Sequence, residues 1–174
     1  LNQPGTYKLV KDTTIVAQFK AVRNAKSEAL FSATDAPVYF LAWTTTPWTL
    51  PSNAALAVGE KITYVLVRTF NPYTFEPVSV VVAKDLLGKH FNAKNAELTI
   101  EEYQTGNKNI PFRVEKEFSG ASLQDISYEQ LLPFVQPEEG AFRVITGDFV
   151  STEDGTGIVH IAPTFGADDF RVAK

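Results

Sequence analysis

Eight short runs in which apolar and polar residues alternate constrain this chain more than any other feature. Thr13 to Val22, Val38 to Thr45, Thr63 to Phe70, Val78 to Ala83, Leu98 to Tyr103, Phe112 to Phe118, Phe142 to Thr146 and Thr156 to Ile161 all carry the two-residue period of a strand. Helical patterns are few and short: Lys84 to Phe91, part of Ala121 to Leu132, and Ala167 to Lys174, which opens on a glycine and an acidic pair. Many short strands separated by turn signals predict a mainly β fold, a closed barrel or sandwich, rather than a parallel sheet with crossover helices. Asn71-Pro72 and Glu76-Pro77 mark a hairpin loop, not a domain boundary. With 174 residues, 44% of them hydrophobic and 21% charged, the chain has the size and composition of one globular domain, 1–174.

Composition also removes several kinds of chemistry. There is no cysteine, so neither a disulfide framework nor a thiolate nucleophile or metal ligand can form. The two histidines occur in no H-E-x-x-H or similar metal spacing, and no G-x-S-x-G elbow is present. A net charge of −4 argues against an autonomous nucleic-acid binder, because phosphate contacts need Lys or Arg. Lys84, Lys89 and Lys94 are spread over one region and read as a solvated face rather than a phosphate-binding patch. No apolar stretch is long enough to span a membrane and no signal peptide is visible, which is compatible with the cytoplasm. A start at Leu1 rather than at methionine predicts a fragment of a larger protein.

Two segments carry the chemistry. Trp43-Thr44-Thr45-Thr46-Pro47-Trp48-Thr49-Leu50-Pro51-Ser52-Asn53 follows the apolar run Pro37 to Ala42, so a stiff, hydroxyl-lined loop is expected to hang from a buried strand. Its two prolines are expected to hold the backbone out of a helix. Gly155-Thr156-Gly157-Ile158-Val159-His160-Ile161-Ala162-Pro163-Thr164-Phe165-Gly166-Ala167-Asp168-Asp169 runs from a glycine turn through a strand to a helix start. Together they closely resemble the editing domain of isoleucyl-tRNA synthetases, whose patterns W-T-T-T-P-W-T-L-P-x-N and G-T-G-x-V-H-x-A-P-x-x-G-x-x-D are met at every fixed position. The valyl and leucyl relatives carry T-T-R-P where this chain has Thr44-Thr45-Thr46-Pro47. The likeness covers most of the chain, including Asp148-Phe149-Val150 and Gly120 to Phe134, where Gln130 replaces a proline common in the family.

The resemblance implies a closed β-barrel core with a few short peripheral helices, working as one editing domain cut from a class I synthetase. Its implied task is hydrolysis of misactivated valine, as valyl-tRNA(Ile) or as valyl-adenylate. A synthetic pocket gains only about 1 to 3 kcal/mol from one methylene, isoleucine against valine being the standard case of this limit. An aminoacyl ester is already activated, so positioned water and a stabilised oxyanion suffice. The implied partners are the charged 3′ end of tRNA(Ile), valyl-adenylate and the rest of the synthetase in cis, with no membrane and a monomeric state. No metal or cofactor is implied for editing, ATP and Mg belonging to the catalytic domain, whose HIGH and KMSKS signatures are absent from these residues. A non-catalytic module that holds aminoacyl-tRNA ends is the alternative.

Residue by residue, the resemblance makes Asp169 the anchor for the substrate's α-ammonium, with Asp168 the alternative and otherwise a helix cap. His160 becomes the wall that admits valine and blocks isoleucine, or a base that orients water; without the resemblance it reads as a packed core histidine. Thr44, Thr45 and Thr46 are expected against the ester and terminal adenosine, with Thr49 and Asn53 completing the hydrogen bonds. Strand alternation sets Thr44 and Thr46 on one side and Thr45 on the other. Trp43 and Trp48 read as core residues, with stacking on adenine the alternative. His90 reads as a helix C-terminal residue without a role in the chemistry.

Overall fold

The computed structural model describes residues 13–134 and 140–163. Its eight strands are β1 (Ile15–Lys20), β2 (Val38–Thr44), β3 (Ala55–Val58), β4 (Thr63–Phe70), β5 (Pro77–Ala83), β6 (Arg113–Ser119), β7 (Arg143–Thr146) and β8 (Ile158–Ile161). Three single-turn helices, α1 (Glu28–Phe31), α2 (Leu87–His90) and α3 (Gly120–Leu123), lie between them. All eight strands belong to one curled sheet with the order β6-β4-β5-β2-β8-β3-β7, and β1 pairs β2 off that path.

Strand β2 organises this sheet by forking it. Antiparallel β1 runs along one edge of β2 from Tyr39 to Thr44, which leaves a single edge for all other partners. That edge is shared: parallel β5 takes Val38 to Phe40, and parallel β8 takes Trp43. Two wings therefore diverge from the two halves of one strand, β5-β4-β6 and β8-β3-β7. The end of β2, where the threonines follow, lies beside the wing that carries His160.

Residues 125–129 link the sheet's far edges. Asp125 and Tyr128 donate backbone N–H bonds to Val144 and Phe142 at the start of β7, while Val22 N–H donates to Ser127 and Glu129 N–H to Lys20 at the end of β1. The bridges Ala21 to Tyr128 and Ser127 to Arg143 fall in the same place.

Alternation decides what each strand buries. Phe40 and Ala42 of β2, Leu66 of β4 and Val81 of β5 join Phe19, Leu56, Leu123 and Ile158 in the main core. Their neighbours Leu41, Val65, Val67, Val78, Val80 and Val82 pack on the other face under Phe112, Leu87 and Phe91. Both faces of β5 are thus covered, as its almost unbroken apolar run requires.

Glycines shape the turn that delivers β8. Gly155 and Gly157 have φ of +73° and +72°, a region that costs residues with a Cβ. Space forbids one as well: a Cβ on Gly157 would lie 2.4 Å from that of Ala83, and one on Gly155 would lie 2.9 Å from the Trp43 ring. The buried Tyr64 phenol accepts from Gly59 N–H (2.8 Å) and donates to the Gly157 carbonyl (2.6 Å), fixing the turn from the other side. Burial pushes the Tyr64 phenol up to about 12, so it remains a donor.

Several expectations need correction. Leu98 to Tyr103 is not a strand but a 3₁₀ turn over Ile100–Glu102. Only Ile100 is buried there, and Tyr103 stacks on Phe70 (4.3 Å) instead of extending a ladder. Strand β3 went unpredicted because all four residues of Ala55-Leu56-Ala57-Val58 are buried, which erases the alternation. The threonine loop is a 3₁₀ helix over Pro47–Ser52, not an open loop. Pro47 sits at its start, where no N–H is needed, and bonds from Thr49 N to Thr46 O and from Asn53 N to Leu50 O close its turns.

Candidate functional site

The two motifs meet in one continuous chain of hydrogen bonds. Thr44 lies at the end of β2, and its Oγ1 accepts from the Thr46 backbone N–H at 3.0 Å. The Thr46 hydroxyl lies 3.3 Å from those of both Thr44 and Thr49, so alternation sets Thr44 and Thr46 together. Thr49, turned inward by the 3₁₀ helix, donates to the Thr46 carbonyl (2.8 Å) and contacts His160 Nε2 (2.9 Å). On the far side of the ring, Asn53 Nδ2 reaches His160 Nδ1 (2.9 Å) and the Ala55 carbonyl (2.9 Å). Tyr128 donates its phenol to Asn53 Oδ1 at 2.6 Å.

These contacts assign the protons. The Ala55 carbonyl can only accept, so the amide nitrogen of Asn53 must face it, and the same nitrogen donates its second hydrogen to His160 Nδ1. His160 is therefore the neutral Nε2–H tautomer and donates to Thr49. Burial pushes its pKa down to about 4, which keeps it neutral at physiological pH. Both ring nitrogens are occupied, and the one lone pair a base would use is taken by Asn53.

Exposure divides the site in two. Thr44, Thr49, Asn53, Tyr128 and His160 are buried, whereas Thr45, Thr46 and Trp48 reach solvent. Trp48 is 65% exposed, contrary to its expected place in the core, because the 3₁₀ helix spends its inward positions on Thr49 and Leu50. Trp43 is half-buried against Gly155. His90 does close a helix, and its Nε2–H donates to the Gly155 carbonyl at 2.8 Å, which ties α2 to the glycine turn. Lys84 pairs with Glu117 (2.6 Å) and Lys89 with Asp154 (3.2 Å). Asp168 and Asp169 lie outside the described residues. Among the described residues no group of His, Asp and Glu could hold a metal ion, and no helix is long and apolar enough to cross a membrane.

Sequence reasoning missed Tyr128 as a member of this network. The available signal was the alternation Ile126-Ser127-Tyr128, which puts the tyrosine on the same side as an isoleucine, and a buried phenol requires a partner.

No family model matches the chain. Isoleucine–tRNA ligase of Cytophaga hutchinsonii is 66% identical to it over 174 residues, which is 100% of this chain and 15% of that protein. The Bacteroides fragilis enzyme is 63% identical over the same span, and that of Thermoplasma volcanium still 39% over 97% of the chain. The chain belongs to the isoleucine–tRNA ligase family. It spans only 15% of the length of the first two of these ligases. Solved structures give the fold. GlLeuRS-CP1 matches with a TM-score of 0.66 at 21% identity, covering 92% of this chain and 58% of that one. The editing domain of P. knowlesi cytosolic leucyl-tRNA synthetase matches at 0.63 with 11% identity, covering 90% and 60%. This segment of an isoleucine–tRNA ligase thus has the fold seen in leucyl-tRNA synthetase editing domains.

Proposed function

We propose that the chain hydrolyses misactivated valine for its parent ligase, releasing it from valyl-tRNA(Ile) or valyl-adenylate. The observation that carries this reading is the hydrogen-bond chain from Thr44 to Tyr128. Side chains from distant parts of the sequence are tied together, and the hydroxyl of the exposed Thr46 rests on a buried, proton-ordered support, with Thr45 exposed beside it. Such a surface suits a substrate that needs positioning more than a covalent nucleophile.

In this reading the charged 3′ end lies over Thr44 to Thr49, with Trp48 stacked on the terminal adenine. Thr46 holds the ester or the attacking water, and Asp169 pairs with the free α-ammonium. His160, held on both nitrogens, is a rigid wall rather than a mobile base, so the side chain beyond valine's length meets it. The parent ligase grips the remainder of the tRNA and supplies ATP-dependent activation elsewhere. Closure of the curled sheet into a barrel belongs to the same reading, supported by the backbone bonds that residues 125–129 make to both β1 and β7.

The test uses the intact ligase that carries this segment, with valyl-tRNA(Ile) and isoleucyl-tRNA(Ile) as substrates. Wild type should hydrolyse only the valyl ester above the enzyme-free rate, and His160→Ala should gain hydrolysis of the isoleucyl ester. Binding of valyl-tRNA without turnover would instead make the segment a holding module. Loss of all hydrolysis in His160→Ala, with no gain on isoleucine, would remove the wall role.

A further inference from the structure

Tyr128 belongs to neither motif, yet it terminates the hydrogen-bond chain. We infer that Tyr128 is a positioning residue for the hydrolysis proposed above: its phenol fixes the amide of Asn53 and, through that amide, the tautomer and orientation of His160. The effect on turnover rests on the proposed function; the effect on the imidazole does not.

The argument follows the hydrogens. Tyr128 O–H has one proton to give, and Asn53 Oδ1, which can only accept, receives it at 2.6 Å. With Oδ1 held there, the Nδ2 hydrogens point to the Ala55 carbonyl and to His160 Nδ1. The imidazole proton is thereby confined to Nε2, where it faces Thr49. Thr49 accepts it and sends its own hydrogen to the Thr46 carbonyl, which leaves only its remaining lone pair for the Thr46 hydroxyl. The phenol and the Ala55 carbonyl, one at each end of the Asn53 amide, together set the direction of every hydrogen from Tyr128 to the exposed threonine.

Tyr128 is built to hold still. It is 3% exposed, edge-on to Phe19 (5.3 Å) and to Phe142 (5.9 Å), and its backbone bonds to β7. Burial raises its phenol pKa, so the proton stays available for donation. Without the hydroxyl, Asn53 Oδ1 becomes a buried acceptor with no donor, the Ala55 carbonyl alone is left to hold the amide, and rotation of the amide lets His160 carry its proton on Nδ1 instead. Thr49 would then donate to the ring rather than to Thr46.

The experiment compares wild type with Tyr128→Phe. With imidazole nitrogens labelled in the 174-residue chain, two-bond proton–nitrogen correlations at neutral pH report the tautomer. Only two histidines are present, and His160→Gln identifies the signal. Wild type should show the pure Nε2–H pattern, and Tyr128→Phe a mixed or inverted one. In the intact ligase the same change should lower kcat for valyl-tRNA(Ile) roughly tenfold or more with KM little altered, by analogy with outer partners that orient metal-bound histidines. An unchanged nitrogen pattern overturns the inference whatever the activity. A changed pattern with unchanged kcat removes the positioning role. Absence of hydrolysis in wild type sinks the proposed function while leaving the tautomer result intact. Should Tyr128→Phe fail to fold, Asn53→Asp serves instead: an oxygen facing Nδ1 should draw the proton there, and a pure Nε2–H pattern in that variant would overturn the inference.

Discussion

Two regions of this molecule gather polar side chains, and they differ in where those side chains spend their hydrogen bonds. On the outer face of β2 and β5, a groove of about 660 Å³ is floored by Leu41, Val78 and Val80 and rimmed by Phe91, Tyr73 and Lys108. Its asparagines bond mostly nearby: Asn71 accepts from Tyr73 and Thr74 and Asn92 from Lys94, Asn95 donates to the Ile110 carbonyl, and the one long reach is the 3.4 Å contact from Asn71 to Gln18. The threonine site joins residues 75 to 111 positions apart in sequence. A groove of this volume is by itself a candidate ligand site. Convergence of distant polar groups favours the threonines, because local bonds stabilise a loop whereas long-range ones position a surface.

The largest expected effect belongs to the acid proposed to hold the substrate's ammonium. If Asp169 pairs with the substrate ammonium, Asp169→Asn removes the partner of a desolvated cation, about 2 to 5 kcal/mol, or roughly thirty-fold to several-thousand-fold in valyl-tRNA(Ile) hydrolysis. Asp168→Asn should cost about 1 kcal/mol or less if that carboxylate caps a helix. An N-acetylated valyl ester separates the roles: wild type should process it poorly, and Asp169→Asn should lose little more on it. Equal impairment of the two variants would move the ammonium anchor away from Asp169.

Next comes the buried support. His160 titrates at about 4 in the folded chain against 6.5 for a free imidazole, so the unfolded chain binds the extra proton between those values. Stability should be complete above pH 6.5 and fall as pH drops towards 4, by about 3 kcal/mol in total. Protonation would also set an N–H against the Asn53 amide. Asp154, held low by the Gly155 N–H and then by Lys89, loses its contribution only at more acidic pH. Chemical denaturation of wild type and His160→Gln between pH 7 and 4.5 should show the slope in wild type alone. The same slope in both would place the titrating group elsewhere.

Much of this was legible before the fold, for identifiable reasons. Strands β4 and β5 were read almost to the residue although nearly all their side chains are buried, because long runs rich in Val between turn signals mark a buried strand. Strand β3, equally buried but only four residues long and half alanine, leaves no such mark, and alternation misleads where a stretch has no edge to pair with, as at Leu98 to Tyr103. The threonine loop stood out because few structural needs explain that mixture of residues, whereas Asn53 and His160 were singled out through the family resemblance. Their mutual bonding was not legible, since it depends on β2 bringing β8 alongside Trp43. Tyr128 and the exposure of Trp48 depend on a 3₁₀ helix and on a bridge between β1 and β7, neither of which leaves a periodic trace.

The smallest expected effect on stability tests the comparison most directly. Thr45→Ala with Thr46→Ala removes two exposed hydroxyls, of which Thr46 makes only 3.3 Å contacts to its neighbours, so the melting temperature should barely move. Hydrolysis of valyl-tRNA(Ile) should nevertheless fall roughly a hundredfold, the scale for losing a group that positions or stabilises the transition state. Tyr73→Ala with Lys108→Ala strips the groove's rim instead. Tyr73 is 87% exposed, and neither side chain is engaged in the core, so stability should change by no more than about 0.5 kcal/mol. Hydrolysis should stay within about twofold of wild type if the groove plays no part in the reaction. Measured side by side in the intact ligase, the two pairs make opposite predictions from similar surface changes. A groove variant impaired as severely as the threonine variant would mean that substrate, or the body of the ligase, engages the outer face, and that convergence of hydrogen bonds had marked the scaffold rather than the site.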